Sequence, residues 1–597
     1  MSTKDARPAA PSTDAAAALL AGFVARGVRH LVLSPGSRSQ ALALVAADLE
    51  RAGLIRLHVR IDERVAGFTA LGIGRETGIP AALICTSGTA AANLLPAALE
   101  AHHAGVPLLL LTADRPPELR GIGANQTTRQ PGLFRAATRF EADLPVPETV
   151  DHDGSSEQTA EFDALAASAL AAALGEGVRV AGPVHLNVPF REPLAGAAPD
   201  WLIERATTRP AVANAEADVD AEDEASGALY QGGGGIGVAD VAPETEAAFP
   251  LVRGPRTLVV AGADAGPAAE ELAHRGGFPL VAEIVSGARF GRQLVHGYRA
   301  LLRDPELGGR VERVVVLGHP TLSREIAALL GRADVEVIAV RGPGEPVNLN
   351  GATQGVDAVR VAAGETDREW LGAWMRASRA AAVDLSPPAP DADGLASAVP
   401  HERLGAINAE VEVMRAPVDR AALVDALWRA TWPHDRLMFG SSRLVRVADE
   451  VLGGKKVAVH ANRGLAGIDG TIATATGIAL ASQVDERPGV TRVLLGDLAM
   501  LHDTGALLLP PGEDEPRLQV VVGNDGGGTI FDGLEVAAVA GDDAMDRVQY
   551  TPHAVRLEQL ALAFGWEYHR VTTRVALDQV LTSPGGGRQL IEVPLPR

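Results

Sequence analysis

The stretch RVLLGDLAMLHDTGALLLPPGEDEPRLQVVVGNDGGG, residues 492–528, decides the fold. Two apolar runs of strand length, RVLL and LQVVVG, each end on a small polar turn, Gly496-Asp497 in the first case and Asn524-Asp525-Gly526 in the second. Short β-branched or leucine-rich runs bounded by glycine read as buried strands, and in open α/β sheets the ligand crevice lies beyond the carboxyl ends of such strands. Both turns fall there. Asp497 and Asn524, 27 positions apart, offer hard oxygen ligands in glycine-rich backbone. That donor set suits magnesium, which takes carboxylate, amide and carbonyl oxygens and completes its octahedron with phosphate oxygens and water.

Outward from this stretch the same alternation of strand and Ala-rich helix fills the chain. HLVLSP, LHVRID, AALICT, PLLLLTA and VHLNVPF are candidate strands in the first 200 residues; RTLVVAG, PLVAEI, RVVVLG and VEVIAV follow, and KVAVHAN and QLIEVPL join the two quoted runs near the C-terminus. Strands alternating with helices point to parallel sheets, so the fold class is α/β, with three doubly wound parallel-sheet domains. We place them at 1–205, 256–384 and 419–597. An acidic and glycine-rich segment, 206–255, contains EADVDAEDE and QGGGGIG and reads as a flexible insertion; 385–418, which contains SPPAPDADG, reads as a linker. No short-period repeat stands out, although the first and third domains have the pattern of distant structural relatives. VVAGADAG, at 259–266, lacks the full glycine pattern of a dinucleotide turn and reads as a plain strand-to-helix turn.

Bulk properties narrow the function. At 597 residues the chain exceeds one hydrophobic core, and its 47% hydrophobic and 22% charged residues are those of a globular protein. No apolar run is long enough to span a bilayer and the N-terminal MSTKDARPAAPSTD lacks a secretory apolar stretch, which predicts a cytoplasmic protein. The single cysteine, Cys85, excludes an internal disulfide and reads as a small buried hydrophobe. A net charge of -21 argues against nucleic acid or an anionic membrane as partner, so an anionic substrate needs a local arginine cluster.

Candidate arginines sit in motifs of their own. In LSPGSRSQALAL, residues 33–44, Pro35-Gly36 turns the chain after a strand and delivers Ser37 and Arg38 near a helix N-terminus, a place for a carboxylate. LLTADRPPELRGIGANQTTRQPGLF supplies Arg115, Asn125 and Gln126; GSSRLVRVAD and HANRGLAGIDG supply Ser442, Arg446 and Arg463. Ser442 and Arg446 are four apart and share one helix face, with Arg443 pointing elsewhere. Planar, always-charged guanidinium groups suit bidentate capture of carboxylates. Arg289 and Arg292, in SGARFGR, are further candidates from the middle domain. Glu63, in HVRIDERVAGFTALGIG, stands in the first turn of a helix, where an acid is favoured by the helix dipole.

The Gly-Asp pair with its spaced Asn, together with the DER segment, resembles the thiamine-diphosphate enzymes. The resemblance implies that Asp497, Asn524 and the Gly526 carbonyl bind Mg²⁺, with Mn²⁺ as an alternative. It also implies that Gly496, Asn125, Ile468 and Ile530, beside Phe531, contact thiamine diphosphate, and that Glu63 activates it at N1′ of the aminopyrimidine. These signatures lie on different subunits in the family, which implies a homodimer or a dimer of dimers. Within the family, SPGSRS, TADRPPEL and the Ser442 block resemble the menaquinone-pathway synthases that decarboxylate 2-oxoglutarate and add the resulting succinyl carbanion equivalent to isochorismate. In that resemblance Ser37, Arg38, Arg115, Gln126, Ser442, Arg446 and Arg463 position the two acids. Another thiamine-diphosphate-dependent 2-oxoacid decarboxylase or synthase, or a non-catalytic cofactor-binding protein, stand as alternatives.

Overall fold

The computed structural model describes residues 9–177, 180–208, 248–583 and 585–597. The chain forms two compact units, Met1–Ile236 and Gly237–Arg597.

In the first unit, six strands form one sheet: β1 (His30–Leu33), β2 (Arg56–Val59), β3 (Ala82–Cys85), β4 (Leu108–Asp114), β5 (Phe140–Asp143) and β6 (Pro183–Pro189). Their order is β2-β1-β3-β4-β6-β5, parallel throughout. β3, β4 and β6 are buried along their whole length, as central strands covered on both faces are, and among the polar side chains they carry, Thr112 bonds both His185 and Asn187. The strand order reverses direction between β1 and β3, and it is at such a switch point that a crevice opens. Cys85 ends β3 fully buried, and burial, helped by the Glu63 charge, pushes its thiol pKa far up, so it is an inert core residue.

The second unit carries two larger sheets. β7 (Phe249–Leu251), β8 (Thr257–Ala261), β9 (Leu280–Ala282), β10 (Arg313–Leu317), β11 (Glu336–Val340), β12 (Gln354–Val356) and β13 (Val359–Val361) supply a five-stranded parallel sheet, β12-β11-β10-β8-β9, and a parallel β13-β7 pair. β14 (Arg436–Phe439), β15 (Ala458–His460), β16 (Thr491–Gly496), β17 (Leu518–Asn524), β18 (Glu567–Arg570) and β19 (Arg588–Pro594) form a six-stranded parallel sheet, β15-β14-β16-β17-β19-β18. Ile284, Val285 and Leu322, from the middle sheet's turns, pack with Leu423, Phe439 and Leu444 in one core. The expected α/β class of parallel sheets flanked by helices is present.

Some element bounds differ from expectation. Of segment 206–255, residues 209–247 lie outside the described residues; at its ends, 206–207 close the helix Leu202–Thr207 and Phe249–Leu251 pair with β13, Leu251 being fully buried. The expected linker 385–418 contains two helices, Ala392–Ala396 and Pro400–Arg415, capped by Asp391 and started by Pro400. Along the longer helix only Ala406 is buried, so its polar composition reads as linker although its backbone is helical. VVAGADAG turns from β8 toward the helix Ala268–Gly276, as expected. Among the described residues no helix is long and apolar enough to cross a membrane.

Candidate functional site

In the first unit the candidate residues gather at the carboxyl ends of β1 to β4. Gly36 lies so close to Thr86, just past β3, that a Cβ there would collide with the threonine side chain. The approach lets the Arg38 N–H donate to Thr86 Oγ1 at 3.3 Å and the Ser39 hydroxyl bond back to the Gly36 carbonyl at 3.1 Å. Arg38 Nη1 donates to the Phe190 carbonyl at 3.1 Å beyond β6. Its pKa is lowered by burial first and by the nearby Arg115 charge second. Two guanidinium groups therefore stand close enough to repel each other, which an anion between them would relieve.

Arg115 itself is 9% exposed. Its Nη1 donates to Ser87 Oγ at 2.5 Å and to the Gln126 carbonyl at 2.8 Å, while Ser87 Oγ donates to the same carbonyl at 2.8 Å. Gln126 adopts φ +52 and spends its amide on the Ser87 carbonyl at 3.0 Å; its backbone, rather than its side chain, shapes this corner. Ser37 and Asn125 are exposed on the same edge. Glu63 opens the helix Glu63–Thr77, whose N-cap Asp62 accepts the N–H of Arg64 at 2.8 Å and whose C-cap Gly78 is left-handed. The half-buried Glu63 carboxyl is thus mounted on the first turn of a well-capped helix following β2.

In the second unit the switch point lies between β14 and β16. Asp497 follows β16, is 1% exposed, and accepts N–H groups from Leu498 at 2.7 Å and Gly527 at 2.8 Å. His553 Nε2 lies 3.1 Å from the same carboxylate. Asn524 ends β17; its Nδ2 donates to Glu592 at 2.7 Å, which turns Oδ1 toward the Gly526 N–H at 3.2 Å. Tyr568 holds the other Glu592 oxygen at 2.5 Å. The Gly526 carbonyl accepts from Arg597 at 3.3 Å, and a Cβ on Gly527 would collide with the Tyr550 carbonyl. The turn 524–527 is therefore pinned against Asp497. Burial raises the Asp497 pKa, and the Asp525 charge adds to the shift.

These residues fit a divalent cation. A buried carboxylate, an amide whose oxygen is oriented by Glu592, and a nearby glycine carbonyl are hard oxygen donors of the kind a divalent cation takes. Among the described residues no group of three His, Cys, Asp or Glu side chains forms a ready metal centre. One acid, one amide and one carbonyl leave positions for phosphate and water, as magnesium prefers. Gly496 faces Ser442 across the crevice, a Cβ on it lying 3.7 Å from the serine Cβ. Ile468, Ile530 and Phe531 are half-buried.

Ser442 caps the helix Arg443–Val451 through Leu444 N at 3.2 Å. Arg446, one turn in, donates to the Ser442 carbonyl at 3.0 Å, and burial lowers its pKa with help from Arg299 and Arg324. Arg443 turns away to Asp532 at 2.8 Å. Arg463 is 3% exposed and reaches Thr321 and Ser441. Arg289 is corrected: its guanidinium caps that helix's far end through the Asp449 and Leu452 carbonyls at 2.9 and 2.6 Å and also bonds Ala282 O, so its donors serve packing. Arg292 is exposed. The sequence reading passed over Thr321, Ser441, His553 and Glu592; of these only Ser441, inside the GSSR block, carried a local signal.

Residues 13–133 match a family model described as thiamine pyrophosphate enzyme, N-terminal TPP binding domain. The chain is 52% identical over 605 residues to a 2-succinyl-5-enolpyruvyl-6-hydroxy-3-cyclohexene-1-carboxylate synthase of Leifsonia xyli subsp. xyli, covering 98% of this chain and 97% of the relative. It is 53% identical over 608 residues to the protein of that description from Clavibacter michiganensis subsp. michiganensis, covering 100% and 98%. A third, from Kineococcus radiotolerans, is 43% identical over 98% of this chain and 96% of its own length.

Proposed function

The chain belongs to the 2-succinyl-5-enolpyruvyl-6-hydroxy-3-cyclohexene-1-carboxylate synthase family, and on that premise we propose that it joins 2-oxoglutarate, with loss of carbon dioxide, to isochorismate in menaquinone biosynthesis. It is a thiamine-diphosphate-dependent enzyme of the transferase class. Bound thiamine diphosphate supplies the electron sink for the decarboxylation and the carbon–carbon bond. Asp497, Asn524 and the Gly526 carbonyl would hold Mg²⁺ or Mn²⁺, and Gly496, Asn125, Ile468 and Ile530 would line the cofactor. Glu63 would hold a proton at N1′ of the aminopyrimidine. Ser37, Arg38, Arg115, Gln126, Ser442, Arg446 and Arg463 would orient the two dicarboxylates, a positioning task that removes much of the entropic barrier.

The observation that carries the site reading is the meeting of buried Asp497 with the Asn524–Gly527 turn at the carboxyl ends of β16 and β17, beside the strand switch point. Glu63 lies on a different sheet, and the family's habit of pairing such sheets across subunits supports a homodimer, or a dimer of dimers, in the cytoplasm. We further assign a pyrimidine-binding domain to 1–205, a central domain to 256–384 and a diphosphate-binding domain to 419–597.

The test is the absorbance of isochorismate under purified protein, thiamine diphosphate and Mg²⁺. Consumption that requires both cofactor and 2-oxoglutarate is expected. Decarboxylation of 2-oxoglutarate without isochorismate loss would overturn the second substrate and favour a plain 2-oxoacid decarboxylase. Absence of cofactor binding would overturn the site.

A further inference from the structure

We propose that Glu283 is a positioning residue that holds Arg463, through the turn Gly318–Leu322, in the orientation that receives a substrate carboxylate. The proposal rests on the reading that Arg463 binds one of the two dicarboxylates. It gives the middle sheet, which supplies few of the signature residues of the resemblance, a part in substrate binding.

Glu283 stands one residue past β9 and is fully buried. Its Oε1 accepts the N–H of Leu322 at 2.7 Å and of Thr321 at 3.0 Å, and Oε2 lies 3.1 Å from the same Thr321 N–H. Both carboxylate oxygens are thus committed to two successive peptide groups of one turn. A second set of bonds grips the turn from β8: Ala263 and His319 exchange N–H···O bonds at 2.9 Å each way. Gly262 and Gly318 permit that contact, since a Cβ on Gly262 would collide with the His319–Pro320 peptide and one on Gly318 with the Ala263 carbonyl. Gly318 is also left-handed, at φ +68.

From the gripped turn Leu322 packs into the core shared with the C-terminal sheet and Thr321 offers that sheet its polar groups. Thr321 accepts Arg463 Nε on its hydroxyl at 2.9 Å and Arg463 Nη2 on its carbonyl at 3.1 Å. Arg463 Nη1 donates to Ser441 Oγ at 3.1 Å, beside Ser442 at the head of the helix that carries Arg446. Two of the Thr321 oxygens and the Ser441 hydroxyl therefore define the guanidinium plane. A planar fork recognises a carboxylate only when its plane and edge are aimed correctly. The Thr321 carbonyl that accepts Nη2 belongs to the same peptide group as the Leu322 N–H held by Glu283, so loss of the carboxylate lets that peptide rotate and the fork with it. Burying an acid is costly, and here its hydrogen bonds set geometry in return.

Steady-state kinetics with both substrates test this on the full-length enzyme. Arg463→Ala is expected to raise KM for one dicarboxylate and so identify it. Glu283→Ala and Thr321→Val should raise the same KM by about 10-fold, the loss expected from misaiming one charged hydrogen-bonding group, with kcat changed less. Thr321→Ser, which keeps the hydroxyl, should restore it, and thiamine diphosphate affinity should be unchanged in all of them. Glu283→Ala placed on Arg463→Ala should add nothing further. If Arg463→Ala raises KM while Glu283→Ala and Thr321→Val do not, or if the Glu283 and Arg463 effects multiply, the proposal is overturned and the role of Arg463 survives. If Arg463→Ala leaves both KM values at the parent level, the role of Arg463 falls and the proposal with it. Should Glu283→Ala not fold, Glu283→Gln, which keeps one acceptor oxygen for the two N–H groups, takes its place and is expected to raise the same KM; a parent-like KM there overturns the proposal.

Discussion

The first and last sheets have the same strand order, each running second, first, third, fourth, sixth, fifth in its own chain sequence. The residues placed just beyond their central strands nevertheless differ in charge. Beyond the first, third and fourth strands, the N-terminal sheet places Arg38, Ser87 and Arg115; the C-terminal sheet places Ser442, Asp497 and Asn524. In one, Arg38 is destabilised by burial and by Arg115; in the other, Asp497 is destabilised by burial and by Asp525. The proposed ligands follow these residues, an anion beside Arg38 and Arg115 and a metal cation beside Asp497, whose acidic neighbour Asp525 is already paired with Arg420 at 2.7 Å. The sheet supplies the crevice, and the first few residues past each strand set its chemistry.

The sharpest way to break this comparison is Glu63→Gln, the one acid assigned to the basic sheet. Loss of its proton-holding role should lower kcat by about 1,000-fold with cofactor affinity little changed; a parent-like kcat in folded variant would remove the activation role. The middle sheet offers the next largest effect. Burial, with Asp449 adding, raises Glu283 from 4.5 to about 7, against the N–H groups of Leu322 and Thr321 and the Arg463 charge. A raised acid pKa stabilises the folded state below the unfolded value and loses that contribution as pH climbs to the folded one. The unfolding free energy of the parent, measured against Glu283→Gln, should therefore fall by roughly 3 kcal/mol between pH 4.5 and 7 and be level above. A flat difference across that window would show that Glu283 titrates normally.

Asp497→Asn probes the acidic crevice. It should weaken thiamine diphosphate binding in Mg²⁺ by about 100-fold, read by titration calorimetry, while metal-free thermal stability holds or rises because a like charge has gone. A drop in metal-free stability would mean that the carboxylate is chiefly structural. Glu592→Gln should be milder, about 10-fold in metal affinity, since it disturbs only the orientation of the Asn524 amide. Unchanged affinity would show that the turn alone aims Asn524.

Long apolar runs were legible from local sequence: β4, β10 and β17 are buried on both faces and announce themselves by composition. β5 and β18 were not, because FEAD and EYHR are half-exposed edge strands whose pairing, not pattern, defines them. β14 escaped for the opposite reason, being four residues without a β-branched side chain, yet it is the strand that opens the C-terminal crevice. At the site, Asp497 and Asn524 were legible because strand, turn and ligand are contiguous. Glu592 lies 68 residues from Asn524, and Thr321 lies 142 from Arg463, so no local window contains both partners. Arg289 shows the reverse failure: a basic motif resembling a ligand group proved to be a helix cap.

By itself, then, the sequence determined the α/β class, the sites where strands end in chemistry, and the family, since hydrophobic period and contiguous motifs are local properties of a chain. Only the tertiary structure decided which of those groups are aimed and by what. An amide's orientation, a guanidinium plane and a buried acid's charge are set by hydrogen bonds from residues distant in sequence, and these come within reach only after the sheets have packed.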